Sequence, residues 1–156
     1  LRIAKQGLDK NSFETRLLLA ASQFSYELHD PSAAEQFLLT AKEDADDLEE
    51  IFLRLATIYM EQERYEDIIA LQSQEPENLL TKWMIARSYQ KIEDLDRAYE
   101  LYQELSSDLK DNPEFLEQYT YLLRELGYFE EAKKQAEAYL KLIPDDVQMQ
   151  ELLETL

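Results

Sequence analysis

The chain has 156 residues, with 16 Lys and Arg against 34 Asp and Glu, so its net charge at pH 7 is −18. A surface this acidic repels phosphate backbones and anionic lipid, which argues against nucleic acid and membrane as partners. The absence of Cys excludes a disulfide framework and a thiolate metal site, and two Gly leave no glycine-rich phosphate loop.

Scarce Gly and Pro, with abundant Ala, Leu, Glu, Lys and Gln, favour helix throughout. Residues 1–12 read as the end of a truncated upstream unit. A first helix pair over 13–47 carries Leu17, Ala20, Ala21 and Phe24. It breaks at His29-Asp30-Pro31-Ser32 and resumes with Ala33, Ala34, Phe37, Leu38 and Ala41. The acidic run Glu43–Asp47 reads as a solvated turn leading into the next helix, with Glu49 and Glu50 in the same cluster. A second pair over 48–78 places Phe52, Leu55, Ala56 and Tyr59 on one helix and Tyr65, Ile68, Ile69 and Leu71 on the other. Ala56 lies only 30 residues ahead of Ala86, which predicts a shortened second helix ending near Gln74-Glu75-Pro76.

The third pair, 79–112, has Leu80, Trp83, Ile85, Ala86 and Tyr89, then Leu95, Ala98, Leu101, Tyr102 and Leu105. The fourth, 113–146, opens at Asn112-Pro113 and carries Leu116, Tyr119, Leu122, Leu123 and Leu126. Gly127 closes its first helix, and Phe129, Ala132, Ala136, Tyr139, Leu140 and Ile143 follow before Pro144 stops the second. Glu93 stands where the fourth pair has Gly127, which predicts either a strained turn or a different geometry. Residues 147–156 read as a capping helix over the last pair.

Ala86, Tyr89, Ala98 and Tyr102 are matched 34 residues later by Thr120, Leu123, Ala132 and Ala136. A fixed period of that length marks an array of helix pairs that bury their apolar faces only by stacking. The ten Tyr suggest rings in the core with hydroxyls reaching an edge or a backbone acceptor.

These positions resemble the tetratricopeptide repeat family. The small first-helix residue is matched by Ala21, Ala56 and Ala86, and the large residue three later by Phe24, Tyr59 and Tyr89. The second-helix Ala is matched by Ala33, Ala98 and Ala132, the aromatic four later by Phe37 and Tyr102, and the closing Pro by Pro144. Thr120, Leu123 and Ile68 depart from the pattern. The resemblance implies an all-α fold, a right-handed α-solenoid of antiparallel helix pairs. The opening at Leu1 inside a helical pattern reads as a fragment of a longer protein, the absence of Cys fits a reducing cytoplasm, and the overall flavour reads as bacterial.

The resemblance also implies a groove lined by the first helix of each pair. The partner-binding candidates there are Leu18, Ser22, Leu53, Thr57, Trp83, Arg87, Gln90, Glu117, Tyr121 and Arg124. Trp83 reads either as a groove anchor or as a packed core residue. Arg87 reads either as a clamp for a ligand carboxylate or as half of an internal ion pair. Some members of the family grip a C-terminal carboxylate through Lys, Asn and Arg. The matching positions here are Leu18, Ser22, Arg54, Leu80 and Met84, which do not suit that role.

No catalytic constellation is legible. His29 is the sole His and reads as a cap or surface residue, and the acidic run lacks the spacing of a calcium loop. The expectation is a noncatalytic module without metal or cofactor that binds a protein or peptide. The alternatives are a peptide-sensing regulatory arm, a self-association scaffold receiving a neighbour's terminal helix, or an accessory segment beside a catalytic domain.

Overall fold

The structure, a computed structural model, describes the backbone of residues 2–156 and the side chains of residues 12–156. The partial unit expected over 1–12 therefore falls almost wholly outside the described side chains. The helices are α1 (Arg2–Glu27), α2 (Pro31–Asp44), α3 (Glu49–Glu61), α4 (Tyr65–Ala70), α5 (Leu79–Lys91), α6 (Leu95–Leu105), α7 (Pro113–Leu126), α8 (Phe129–Leu142) and α9 (Val147–Thr155). A 3₁₀ turn, Leu71–Gln74, follows α4, and no strand occurs among the described residues. The chain divides into two compact units at Thr81/Lys82, within α5.

Helix starts are set by short polar side chains. Asp30 accepts from Ala33 N at 3.0 Å, Asn112 from Phe115 N at 3.1 Å, and Asp146 from Met149 N at 3.0 Å. Pro31 and Pro113 occupy the first helical positions, where no N–H is needed. Four helix ends share one closure. His29, Glu63, Glu93 and Gly127 have φ of 62°, 56°, 65° and 81°. The next amide reaches back five residues in each case: Asp30 N to Ser25 O, Arg64 N to Tyr59 O, Asp94 N to Tyr89 O and Tyr128 N to Leu123 O, at 2.8–2.9 Å. Glu93 thus takes the strained alternative, since a Cβ disfavours the left-handed region.

In the first unit α2 lays Ala34, Leu38 and Ala41 against α1, and α3 buries Ile51, Phe52, Leu55, Ala56, Ile58 and Tyr59. Arg64 ties the pairs together: its Nη1 and Nη2 donate to both carboxylate oxygens of Glu35 at 2.7 and 3.0 Å, and its guanidinium stacks on Tyr59. After the six-residue α4, Glu75 turns at φ 51°. The Glu49 carboxylate then accepts Glu77 N at 2.9 Å and Asn78 N at 2.8 Å. The acidic run is therefore more than a solvated turn, because Glu49 fastens the backbone that follows the short helix.

In the second unit the core is an aromatic stack. Tyr102 lies 5.3 Å from Phe115 and 5.4 Å from Tyr119, and Trp83 meets Phe115 edge-on at 5.8 Å. Ala98, Ala132 and Ala136 are fully buried, so the neighbouring helices approach closely. Thr120 replaces a small apolar residue without an orphaned hydroxyl, because its Oγ1 donates to Leu116 O at 2.7 Å. α9 packs on α8 through buried Met149 and Leu152.

Several tyrosine hydroxyls meet side chains rather than backbone. Tyr26 donates to Glu61, Tyr99 to Glu131 and Tyr139 to Asp146. Glu131 receives Tyr99 at 2.9 Å, while the neighbouring Glu130 pairs with Lys133.

Candidate interaction grooves

In the first unit a cavity of about 210 Å³ opens between α1 and α3. Its walls are Ser22, Gln23 and Tyr26 from α1 and Leu53, Arg54, Thr57 and Ile58 from α3. Three expected residues, Ser22, Leu53 and Thr57, meet there. Leu53 and Thr57 share a face because they are one helical turn apart, and Thr57 Oγ1 is turned onto Leu53 O at 2.8 Å. Leu18 is half-buried and does not line the cavity.

Arg54 at the same cavity is engaged internally, donating to Leu19 O at 3.0 Å and pairing with Glu50. The Glu61 carboxylate accepting from Tyr26 raises the phenol's pKa above its ordinary 10.0. Tyr26 and Glu61 also border an adjoining depression of about 570 Å³ with Gln23, Glu27, His29 and Pro31. His29 is exposed at the turn, and among the described residues no cluster has the makings of a metal site.

In the second unit a trough of about 400 Å³ is lined by Arg87, Gln90, Lys91 and Glu93 on the α5 side and Gln118, Tyr121 and Glu125 on α7. Arg87, Gln90 and Tyr121 come together as expected. Arg124 stacks on the Tyr121 ring at 5.3 Å, and Glu117 is half-buried one turn before Tyr121. Trp83 takes the packed placement. It is only 6% exposed, and its Nε1 donates to Gln118 Oε1 at 3.0 Å. The Arg87 guanidinium lies 6.0 Å from the centroid of the Trp83 ring. Trp83 therefore supports the trough from beneath instead of facing it.

Gln118 was missed by the sequence reading. Its Oε1 accepts from both Trp83 Nε1 and Tyr102 Oη, the latter at 3.2 Å, while its Nε2 donates to Glu114. A Gln at a polar helical position carries no signal until the neighbouring helix is placed beside it. Burial pushes the Tyr102 phenol up to about 12.

Residues 80–146 match the family profile of YpiA-like, C-terminal tetratricopeptide repeats. Among solved structures, a MamA RS-1 ArsTM double mutant superposes with a TM-score of 0.79 at 12% identity, covering 90% of this chain and 81% of that one. YrrB, described as a tetratricopeptide repeat protein with an unusual peptide-binding site, gives 0.76 at 16% identity over 93% of this chain and 77% of its own. A tetratricopeptide repeat protein from Parabacteroides merdae ATCC 43184 gives 0.76 at 19% identity over 87% of this chain and 56% of its own. No curated protein matches the chain. Identities this low establish the fold alone: all-α, of the solenoid type built from helix pairs. Residues 80–146 thus match a tetratricopeptide repeat profile, and the chain shares the helix-pair fold of solved tetratricopeptide repeat proteins.

Proposed function

We propose that the chain is a noncatalytic interaction module that binds a protein or peptide segment along the faces of its first helices. In the first unit that face is the α1/α3 cavity around Ser22, Leu53 and Thr57. In the second it is the α5/α7 trough around Arg87, Gln90 and Tyr121, with Glu117 and Arg124 beside it. The observation that carries the reading is the division of labour along these helices. One face of α3, α5 and α7 is packed, and the residues left over line open, mixed apolar and polar recesses.

The net charge favours a partner that is not a nucleic acid or an anionic membrane. Self-association through a donated terminal helix has less support, because α9 already buries Met149 and Leu152 within its own unit. Peptides selected from a random library on the wild-type chain test the reading. They should lose about tenfold or more in affinity for Leu53→Glu or Arg87→Ala. Unchanged affinity for both variants removes these recesses from consideration.

A further inference from the structure

Arg87 is a half-buried arginine without an ion pair, whereas Arg16 and Arg124, which among the described residues also have none, are exposed. Arg54 bonds Glu50 and the Leu19 carbonyl, Arg64 grips Glu35 and Asp67, and Arg97 pairs with Asp94. Among the described residues Arg87 has no carboxylate at ion-pair distance, in a chain holding 34 acidic residues. Its guanidinium lies over Trp83, which is itself fixed by Gln118 and Phe115. The cation therefore rests on a rigid floor and borders an open trough. Lys91, one turn further along α5, lines the same trough and is likewise unpaired.

A guanidinium fork held half-buried without an acceptor is a receptor for a planar oxyanion, and a carboxylate fits it with two parallel N–H···O bonds. The field of the whole chain sets the opposite preference at long range, since −18 draws partners of net positive charge. One kind of ligand satisfies both conditions. It is a basic segment with a single carboxylate embedded in it. Gln90 offers an amide that can pair with an extended backbone, and Tyr121 offers an apolar ring face.

We propose that the α5/α7 trough binds a peptide segment of net positive charge whose one carboxylate seats on Arg87. This deepens the groove reading above and rests on it.

The test uses the whole chain and two end-capped peptide pools. Their flanks are randomised over Leu, Ala, Ser and Lys, and they differ only in Glu or Gln at the fixed centre. A third pool has the central Gln and a free C-terminus. Replacing Glu by Gln makes the pool more positive, so the long-range field alone would strengthen binding, whereas loss of an Arg87 contact weakens it. Trp83, the single Trp, reports binding by fluorescence. The expected result is about tenfold tighter binding of a carboxylate-bearing pool. Arg87→Gln should abolish that preference and Arg87→Lys should retain part of it, with helicity unchanged in both. A preference carried by the Glu pool assigns the carboxylate to a side chain. A preference carried by the third pool assigns it to a chain end. Equal or tighter binding of the capped Gln pool, or a preference that survives Arg87→Gln, overturns the carboxylate assignment while leaving the groove reading intact. No binding of any pool overturns both in this unit.

Discussion

The indole N–H of Trp83 and the hydroxyl of Tyr102 converge on one acceptor, Oε1 of Gln118, at 3.0 and 3.2 Å. Three helices, α5, α6 and α7, are joined at that oxygen. Gln118→Leu keeps the volume and orphans two largely buried donors. It should lower stability by about 1–3 kcal/mol, read by urea denaturation with Trp83 fluorescence as the probe.

The shared helix closure makes a second prediction. Glu63 and Glu93 hold φ of 56° and 65° with a Cβ present, whereas Gly127 holds 81° without one. Glu93→Gly should stabilise by about 0.5–1 kcal/mol, the left-handed cost relieved less the entropy that Gly adds to the unfolded chain. Gly127→Ala should destabilise by about 1 kcal/mol. No atom would meet its Cβ within 4 Å, so that loss would come from backbone conformation rather than a clash. Opposite shifts in melting temperature check both.

Thr81 is fully buried, and its Oγ1 has no hydrogen-bond partner. Thr81→Val exchanges that hydroxyl for a methyl of similar shape. It should raise stability by about 1 kcal/mol, measured as an increased denaturation midpoint with an unchanged denaturant slope.

Tyrosines set the alkaline limit. Burial raises Tyr59 and Tyr102 to about 12, and the hydrogen bond to Asp146 does the same for Tyr139, all from the ordinary 10.0. Folding therefore favours the neutral phenols. Their contribution is fully present below about pH 10 and is lost as the pH rises through about 12. On the acid side, the Tyr139 hydroxyl lowers Asp146 below its ordinary 3.8. That contribution is present above 3.8 and fades as the pH falls through the folded-state value. Tyrosinate absorbance followed beside circular dichroism should show these phenols ionising together with loss of helix. Tyr139→Phe should shift both limbs inward from the extremes.

Much of the fold is written in short-range chemistry. Apolar residues at helical spacing, Asp30-Pro31, Asn112-Pro113 and Gly127 declare helices and their ends without reference to the rest of the chain. The 30-residue step from Ala56 to Ala86 pointed to missing residues, and a six-residue α4 with a 3₁₀ turn stands at that place. The carboxylate that secures it, Glu49, looked like one more charge in an acidic run. Its role depends on Glu77 and Asn78, 28 and 29 residues away. The grouping of the candidate residues was legible in part. Helix phase brings Ser22 with Leu53 and Thr57, and Arg87 with Gln90 and Tyr121. Whether Trp83 faced out or in, and whether Arg87 found an acid, turned on Gln118 and on neighbouring helices, which periodicity does not place.

The most direct measurement of the central claim is an amide-resolved NMR titration of the whole chain with a selected peptide. The account predicts shifts at Ser22, Leu53 and Thr57 or at Arg87, Gln90 and Tyr121, with α2, α6 and α8 quiet. Shifts confined to the exposed sides of those second helices would contradict it.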